Sequence, residues 1–421
     1  MIELQGKYNN NCKIFAEEIE PEAYSLISKI LNEKVSKDVP VRIMPDVHVG
    51  KDIVIGFTMP LSDMVNPNHI GVDIGCGVTS VKIKTLKKTL PEIDSVIKSI
   101  VPMGINCNKS FVAGKEWNLE YINNEVYSFS SKKGIAHEIN DLYIQKLIEK
   151  IGINPNVFYR SLGSLGGGNH FIELGVDETG KHWLTIHSGS RNFGLKVAKY
   201  HINAAKKQKN DSSEYAKELD KLKATADKKL LPKYIKELKE KYNKGISKEY
   251  LMGNLMNAYI IDMVIAQCYA QINRNTMLLR ITEALGFEIE DRIESVHNYI
   301  SPKDLIIRKG AISAHKDELC IIPFNMRDGI LICKGKGNSD WNNSAPHGAG
   351  RIYSRNAAKQ NISMADYIAS MKGIYSTSVN KSTIDESPQA YKSSKLIEAL
   401  ISPTVEILHR IKPVLNIKAS E

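Results

Sequence analysis

The sequence predicts a fold that combines α-helices and β-strands in one chain, and three observations support this prediction. Apolar residues recur at helical spacing over residues 91–100 and again over residues 135–151. The side chains of residues 77–84 instead alternate between two faces, as in a β-strand. No internal repeat, low-complexity tract or clear linker divides the 421 residues. Residues 103–134 are polar and irregular, and they predict no regular element.

The composition predicts a cytoplasmic protein with a substantial apolar core. Hydrophobic residues make up 42% of the chain, which suits one large domain or two ordinary ones. No apolar run reaches the length of a membrane span, and the first residues lack the pattern of a signal peptide. The six cysteines are scattered without a CxxC pair, as is typical of a reducing compartment.

The chain is basic, with a net charge of +10, which favours a polyanionic partner without requiring one. Residues 196–245 alternate lysine with acidic residues on a weakly amphipathic helical pattern. This pattern predicts a protruding helical insertion with a solvated charged face, and contact with nucleic acid is an alternative use of that face. A longer apolar helix is predicted to begin near Ser247, which would be its N-cap.

The most informative stretch is residues 71–77, which read GVDIGCG and carry a carboxylate and a thiol on a glycine-rich backbone. Glycine at this density lets the chain turn tightly and approach a ligand closely. Asp73 and Cys76 are therefore predicted to face one pocket, where a thiolate can bridge two metal ions. The alternative is that Cys76 is a core residue and Asp73 a turn former.

Four histidines lie in similar glycine- or asparagine-rich surroundings: His170, His187, His297 and His347. A mixed set of Asp, Cys and His ligands suits Mn, Fe, Co or Zn better than Ca or Mg. His347 precedes Gly-Ala-Gly and Arg351, and a neutral imidazole there can attack the α-phosphorus of a metal-held triphosphate. A histidine in a helix-capping turn is the ordinary alternative.

Three further motifs carry polar side chains that suit phosphate chemistry. Residues 162–174 form a glycine-rich loop that leads into a strand, and its N–H groups, with Asn169, can cradle phosphates. Arg191 follows His187 by four residues and can meet a phosphate as a bidentate fork, unless it is simply solvated. Asp46 and His48 would face the same side of a strand, as an acid and a base or as a turn carboxylate and a surface imidazole.

Together, these motifs resemble the RtcB family of RNA-splicing and RNA-repair ligases. The resemblance runs in order through nearly the whole chain, at residues 44–48, 73–77, 168–171, 187–191, 297–298, 308–311, 347–351 and 418. It implies one compact α+β domain over residues 1–421, with mixed β-sheets around a dinuclear metal pocket and the helical insertion at about 196–245. It also implies a GTP- and Mn²⁺-dependent enzyme that joins RNA ending in a 3′-phosphate or 2′,3′-cyclic phosphate to RNA with a 5′-hydroxyl.

The resemblance also implies a role for each matching residue. Cys76 would bridge two Mn²⁺ ions, with His170 and His187 completing one site. Asp73 and His297 would complete the other site. The expected catalytic residues are His347, which would attack GTP, and two residues near the RNA ends, Asp46 and Arg191. The expected nucleotide contacts are Asn169, His170, Phe171, Ile172, Glu173, His297, Asn298, Pro323, Phe324, Asn325, Met326, His347, Gly348, Ala349, Gly350, Tyr391 and Lys418.

Two segments depart from the usual sequence of this family. Residues 323–327 read PFNMR where the family usually has PGSMG, and residues 191–194 read RNFG where RGLG is common. The first change falls in a segment expected to contact the nucleotide through its main chain. The metal ligands and His347 are intact, so we expect an active, divergent branch of the family.

Two other functions fit some of the same motifs. A dinuclear phosphoesterase acting on RNA terminal phosphates would use the metal ligands and would turn over substrate without GTP. A non-catalytic RNA-binding module would use the basic surface, and its affinity would survive removal of metal.

Overall fold

The computed structural model describes residues 1–84, 86–133, 138–210, 213–225, 227, 230–243 and 249–419. Within these ranges the helices are α1 (Pro21–Leu31), α2 (Leu90–Ile100), α3 (Leu119–Ser130), α4 (Asp141–Lys150), α5 (Pro155–Arg160), α6 (Arg191–Asn210), α7 (Ser213–Thr225), α8 (Leu231–Asn243), α9 (Gly253–Leu285), α10 (Arg355–Asn361), α11 (Met364–Ser370) and α12 (Ser394–Ile401). The strands are β1 (Ile2–Leu4), β2 (Cys12–Ile14), β3 (Val41–His48), β4 (Ile55–Pro60), β5 (Met64–Val65), β6 (Gly77–Ile83), β7 (Phe171–Val176), β8 (His182–Ser188), β9 (Leu251–Met252), β10 (Ile289–Val296), β11 (Asn298–Ile300), β12 (Ile306–Lys309), β13 (Ala311–Ser313), β14 (Leu319–Pro323), β15 (Ile330–Gly335), β16 (Ser344–Pro346) and β17 (Val405–Lys418).

Two large sheets form the strand part of the fold. One has six strands in the order β1-β2-β3-β4-β12-β11, and the other has seven in the order β10-β6-β8-β7-β17-β15-β14. The α+β class predicted from the sequence is confirmed. The expected mixture of strand directions holds only for the six-stranded sheet, because β2 and β3 pair in parallel. Every pair in the seven-stranded sheet is antiparallel.

Helix α9 is the central element between the sheets and the other helices. It has 33 residues, which corresponds to about 50 Å of helix. Its buried residues lie on all sides, as expected for a helix enclosed by the core. It packs against α2, α3 and α6 and against strands β6 and β8. The predicted N-cap of this helix, Ser247, lies outside the described residues, and α9 begins at Gly253.

Helix α3 lies in a stretch for which the sequence predicted no regular element. Asn118 caps it by accepting a hydrogen bond from the backbone N–H of Tyr121. Ile122, Val126 and Phe129 form its buried face, which packs against α9. The polar outer face of α3 concealed this short apolar stripe, and the contact with α9 gives the stripe its place in the core.

Helices α6, α7 and α8 fall in and beside the segment 196–245 that was predicted as a charged insertion. The first half of α6 belongs to the core, since Phe193, Val197 and Ala198 are buried. Helices α7 and α8 pack against each other. Residues 211–212, 226, 228–229 and 244–248 of the segment lie outside the described residues. Within the described ranges, no helix has the length and apolar character that a bilayer span requires.

Candidate active site

A cavity of about 290 Å³ lies where the two sheets, the loop before β6 and the C-terminal segment meet. Its walls bring together residues that are far apart in the sequence. Most of the predicted site residues line it: Asp73, Cys76, Asn169, Phe171, Glu173, His187, His297, Asn298, Pro323, Phe324, Asn325, Met326, His347, Gly348, Ala349, Gly350, Tyr391 and Lys418.

Cys76 lies at the centre of two groups of possible metal-binding side chains. Its Sγ atom is 3.3 Å from Nε2 of His170 and 3.3 Å from Nε2 of His187. Nε2 of His187 is in turn 3.3 Å from Nε2 of His297, and Nε2 of His170 is 3.0 Å from Oδ2 of Asp73. Within each group of three, all donor atoms lie within 4.8 Å of one another. Each group could hold one metal ion, and Cys76 belongs to both.

The donors group differently from the division that the resemblance implied. His170 lies with Asp73, and His187 lies with His297, so the expected pairing of His170 with His187 is not the one observed. The strand arrangement explains the difference. His187 is on β8, opposite Phe171 on β7, and His170 therefore lies one residue beyond that pair, towards the Asp73 loop.

The backbone of residues 73–77 is fixed by the segment that carries His297. The N–H of Gly75 donates to the carbonyl of Asn298, and the N–H of His297 donates to the carbonyl of Cys76. Gly75 has a φ of +72°, which favours glycine, and a Cβ there would lie 2.7 Å from the Cα of Gln267. The tight loop predicted from the glycines is thus pressed against α9.

Two buried side chains of α9 hold the donor loops from behind. Arg274 donates 2.9 Å hydrogen bonds to the carbonyls of Gly75 and Ser188, and it also pairs with Glu294. Nδ2 of Asn273 is 3.1 Å from the carbonyls of Ser164 and Gly189. Neither residue carried a motif in the sequence. An arginine and an asparagine inside an otherwise apolar helix are the signal that could have found them, because buried polar groups need partners.

The environment keeps the histidine donors neutral and makes Asp73 a strong acid. Burial, together with the neighbouring histidines, lowers the pKa of His187 and His297 well below the usual value. Burial alone would raise the pKa of Asp73, but the hydrogen bond and charge of His170 lower it to about 2. Burial raises the pKa of the Cys76 thiol. Neutral imidazoles and a carboxylate are the forms that bind metal, and a bound cation favours the thiolate.

His347 lies beside the donor groups and is oriented by Asp46. Its ring centroid is 4.9 Å from that of His297, and its Nδ1 atom is 2.7 Å from Oδ2 of the buried Asp46. Since a carboxylate accepts, the proton of His347 lies on Nδ1, and Nε2 keeps a free lone pair. Gly350, with a φ of +75°, permits this geometry, because a Cβ there would overlap the carbonyl of Asp46.

Glu173 is a buried carboxyl group that faces the cavity from β7. Its Oε2 accepts a 2.8 Å hydrogen bond from Asn416, whereas its Oε1 has no hydrogen-bond partner among the described residues. Burial raises the pKa of Glu173 to about 8, although Asn416 and Lys418 oppose the rise. A buried carboxyl oxygen without a partner suits a ligand that brings N–H donors.

Glu386, which no sequence motif indicated, organises the opposite wall. It pairs with Lys418 at 3.0 Å and with Arg351 at 3.1 Å, and it accepts a 2.7 Å hydrogen bond from the Tyr391 hydroxyl. Arg355 lies 3.4 Å from the same carboxylate. Burial alone would raise the pKa of Glu386, but Lys418, Arg355 and Arg351 lower it to about 2.

Some predicted residues lie away from the cavity or turn their side chains from it. Ile172 alternates with Phe171 and Glu173 on β7, so its side chain packs in an apolar cluster of the core. Arg191 does not line the cavity, and it donates to the hydroxyl of Ser164 and to the carbonyl of Gly104. Arg308, from the motif at 308–311, is fully buried and forms an ion pair with Asp304.

Comparisons with known proteins agree with the motifs. A family model described as "tRNA-splicing ligase RtcB" matches residues 33–419. The chain is 29% identical to RNA-splicing ligase RtcB of Escherichia coli (strain K12) over 401 residues, which cover 90% of each chain. It is 25% identical to RNA-splicing ligase RtcB homolog 1 of Entamoeba histolytica, with 89% of this chain and 80% of the relative covered. It is 23% identical to tRNA-splicing ligase RtcB of Pyrobaculum aerophilum, with 85% and 83% covered.

Proposed function

The chain belongs to the RtcB family of RNA-splicing ligases, and on this premise we propose that it is a GTP- and Mn²⁺-dependent RNA ligase. It joins RNA ends that carry a 3′-phosphate or a 2′,3′-cyclic phosphate to ends that carry a 5′-hydroxyl, in RNA repair or tRNA splicing in the cytoplasm. The observation that carries the proposal is the position of His347, whose ring lies next to the donor groups and whose Nδ1 is held by Asp46.

His347 is the nucleophile in this proposal. Its free Nε2 attacks the α-phosphorus of GTP, forms a P–N bond to GMP and releases pyrophosphate. Asp46 positions the imidazole, fixes its tautomer and stabilises the positive charge that develops on the ring. The remaining wall of His347 is Gly348-Ala349-Gly350, which leaves space for a nucleotide beside the ring.

The guanylate then passes from His347 to the RNA. An oxygen of the RNA 3′-phosphate attacks the phosphorus of the histidine-bound GMP, so that the P–N bond breaks and His347 is regenerated. The 5′-hydroxyl of the second RNA then attacks the former 3′-phosphate, forms the phosphodiester bond and releases GMP. A 2′,3′-cyclic phosphate is first opened by water to the 3′-phosphate. Asp46 and Arg191 are proposed to act near the RNA ends during these steps.

The donor set fits a pair of transition-metal ions. Three buried imidazole nitrogens, a thiol sulfur and a carboxylate converge, and Cys76 can serve both groups. Asp73, Cys76 and His170 would hold one Mn²⁺ ion, and Cys76, His187 and His297 the other. When bound, the ions would neutralise the triphosphate and orient it for in-line displacement.

The remaining wall residues are proposed to recognise guanosine. The partnerless Oε1 of Glu173 can accept hydrogen bonds from N1–H and the N2 amino group of guanine, which adenine lacks. This difference favours GTP over ATP. Phe171, Tyr391 and Lys418 border the same space, and Asn169 and Asn298 are proposed to contact phosphates.

The proposal is tested with GTP labelled at the α-phosphate. In the presence of Mn²⁺, the wild-type protein should acquire acid-labile label, and His347→Ala should acquire none. His409→Gln is the matched control, because His409 is a partly exposed histidine on β17 that pairs with Glu178 away from the cavity. Absence of label in the wild type would contradict the proposal, and hydrolysis of RNA terminal phosphates without GTP would favour a phosphoesterase instead.

A further inference from the structure

The positive charge of this protein is concentrated in one segment. Residues 196–245, which we call the basic arm, contain fifteen lysines, seven acidic residues and no arginine. The arm therefore has a net charge of +8, whereas the whole chain has +10. The other 371 residues together contribute only +2. A charge difference of this size within one chain indicates a polyanion-binding region.

The basic arm is connected to the active site by helix α6. This helix begins at Arg191, directly after Ser190, whose N–H donates to Oδ1 of Asp73. Further along, the side chain of Gln208 accepts a hydrogen bond from the N–H of Met252 at 3.2 Å, which closes the base of the arm. Gln208 is seventeen residues beyond Arg191, so the base of the arm lies about 25 Å along α6 from the donor loop.

Helices α7 and α8 form the tip of the arm. They pack against each other, and Leu238 is buried between the arm elements. Charged side chains cover the outside of both helices, and among the exposed ones are Lys217, Lys221, Lys223, Lys233 and Lys236. Tyr234 is also 37% exposed between two of these lysines. Lysines with an interleaved aromatic ring suit a nucleic-acid backbone with exposed bases.

We propose that the tip of the basic arm binds the sugar-phosphate backbone of the RNA whose end occupies the active site. The inference rests on the proposed function, and it specifies where the RNA runs after it leaves the cavity. Because phosphates follow one another at about 3.4 Å along a strand, the 25 Å distance corresponds to roughly seven nucleotides. The arm therefore contacts RNA at least that far from the joint and does so without reading the base sequence.

The composition of the arm favours RNA over other polyanions. Lysine is a flexible point charge that follows phosphates without fixed geometry, whereas specific carboxylate recognition relies on the arginine fork, which the arm lacks. A membrane-bound helix would need a broad exposed apolar face. Among the described residues of α7 and α8, the one large hydrophobic side chain that is exposed is Tyr234.

The test compares two variants with four Lys→Gln substitutions each, since glutamine removes the charge and keeps the helix propensity of lysine. The arm variant changes Lys217, Lys221, Lys233 and Lys236. The control variant changes four exposed lysines elsewhere, Lys29, Lys34, Lys316 and Lys395. Binding of 3′-phosphate RNAs of five and twenty nucleotides is measured between 50 and 300 mM salt, and self-labelling with GTP is measured in parallel.

We expect the arm variant to bind the twenty-nucleotide RNA at least tenfold more weakly at low salt. The slope of log affinity against log salt should become shallower by up to about 3, at about 0.7 for each lost phosphate contact on a single strand. Affinity for the five-nucleotide RNA, self-labelling and the control variant should change by less than about twofold.

Equal losses for both RNA lengths, an unchanged slope, or equal losses in the control variant would overturn the inference. Unchanged RNA binding with lost retention on anionic lipid vesicles or polyglutamate would overturn it in favour of another partner. A wild-type protein that binds RNA in this length-dependent way without labelling itself would contradict the proposed function alone.

Discussion

The two halves of the cavity achieve order by different means. The donor half comprises Asp73, Cys76, His170, His187 and His297, and the charged half comprises Arg351, Arg355, Glu386, Tyr391 and Lys418. In the donor half, lone pairs converge on one another, and the supporting hydrogen bonds come from α9 behind the loops. In the charged half, the side chains bind one another across the wall through a single carboxylate.

The difference teaches how each half pays for burial. Neutral imidazoles can be buried side by side because they carry no net charge, so the donor half needs rigid loops rather than counter-ions. Cations cannot be buried without a partner, so the charged half needs Glu386. Removing one residue should therefore have distinct consequences in the two halves.

The largest effect is expected for Cys76→Ala, which removes the one donor common to both groups. This change should abolish metal binding in both groups and self-labelling with GTP. His170→Ala should affect metal binding in one group only, because His187 and His297 keep Cys76 as their third donor. Metal content per chain, measured by elemental mass spectrometry, distinguishes the two variants. Cys320→Ala, at a buried cysteine on β14, is the control, and equal metal loss there would break the comparison.

A second prediction concerns the support of the donor half from behind. Arg274→Met should lower the free energy of unfolding by roughly 3–5 kcal/mol, because it leaves Glu294 and two buried carbonyls without their partner. Arg292→Met removes a more exposed arginine that lies 3.7 Å from the same Glu294, and it should cost less than about 1 kcal/mol. Urea unfolding measures both values. Similar costs for the two variants would show that burial does not govern this support.

A third prediction concerns the charged half and its pH dependence. Attraction from the cations holds the pKa of Glu386 near 2, below its ordinary value of 4.5. Since a tenfold change in proton affinity corresponds to about 1.4 kcal/mol, Glu386→Gln should lower stability at pH 7 by roughly 3 kcal/mol. This contribution is present above pH 4.5 and is lost as the pH falls towards 2, so the difference between wild type and variant should shrink over that range. A difference that does not depend on pH would contradict the ionic origin.

The smallest effect is expected at Glu173, whose pKa burial raises to about 8. Guanine donors favour the ionised carboxylate, so affinity for guanosine should fall as the pH is lowered below about 8, by at most about tenfold per pH unit. Guanosine is a suitable probe for calorimetry because it has no phosphate that titrates. Glu173→Gln should bind more weakly with a flat profile, and a wild-type profile that is also flat would argue against this contact.

The sequence could predict the donor half because glycine-rich motifs mark it locally. The loop at 71–77 needs tight turns and close approach, and its glycines reveal both, as the φ of Gly75 shows. The division of the donors into two groups could not be predicted, because it depends on the register of β7 against β8. The resemblance placed His170 with His187, whereas the register places His170 beside Asp73.

The charged half was beyond local patterns for a related reason. Glu386 follows no glycine motif, and its partners lie 32 residues away at Lys418 and 35 away at Arg351. Strand β17, which ends at Lys418, carries no clear alternating pattern, yet it pairs with β7 and β15 inside the seven-stranded sheet. Such a strand is covered on both sides, and the simple two-residue period does not describe it.

By itself, the sequence determined the kinds of chemistry available: a carboxylate, a thiol and four histidines on tight backbone, and a lysine-rich segment that carries most of the net charge. The tertiary structure decided which of these groups meet. It placed Nδ1 of His347 on Asp46 across 301 residues and gathered three cations around Glu386. The physical reason is that backbone conformation is encoded over a few neighbouring residues, whereas the distance between two side chains depends on how whole sheets and helices pack.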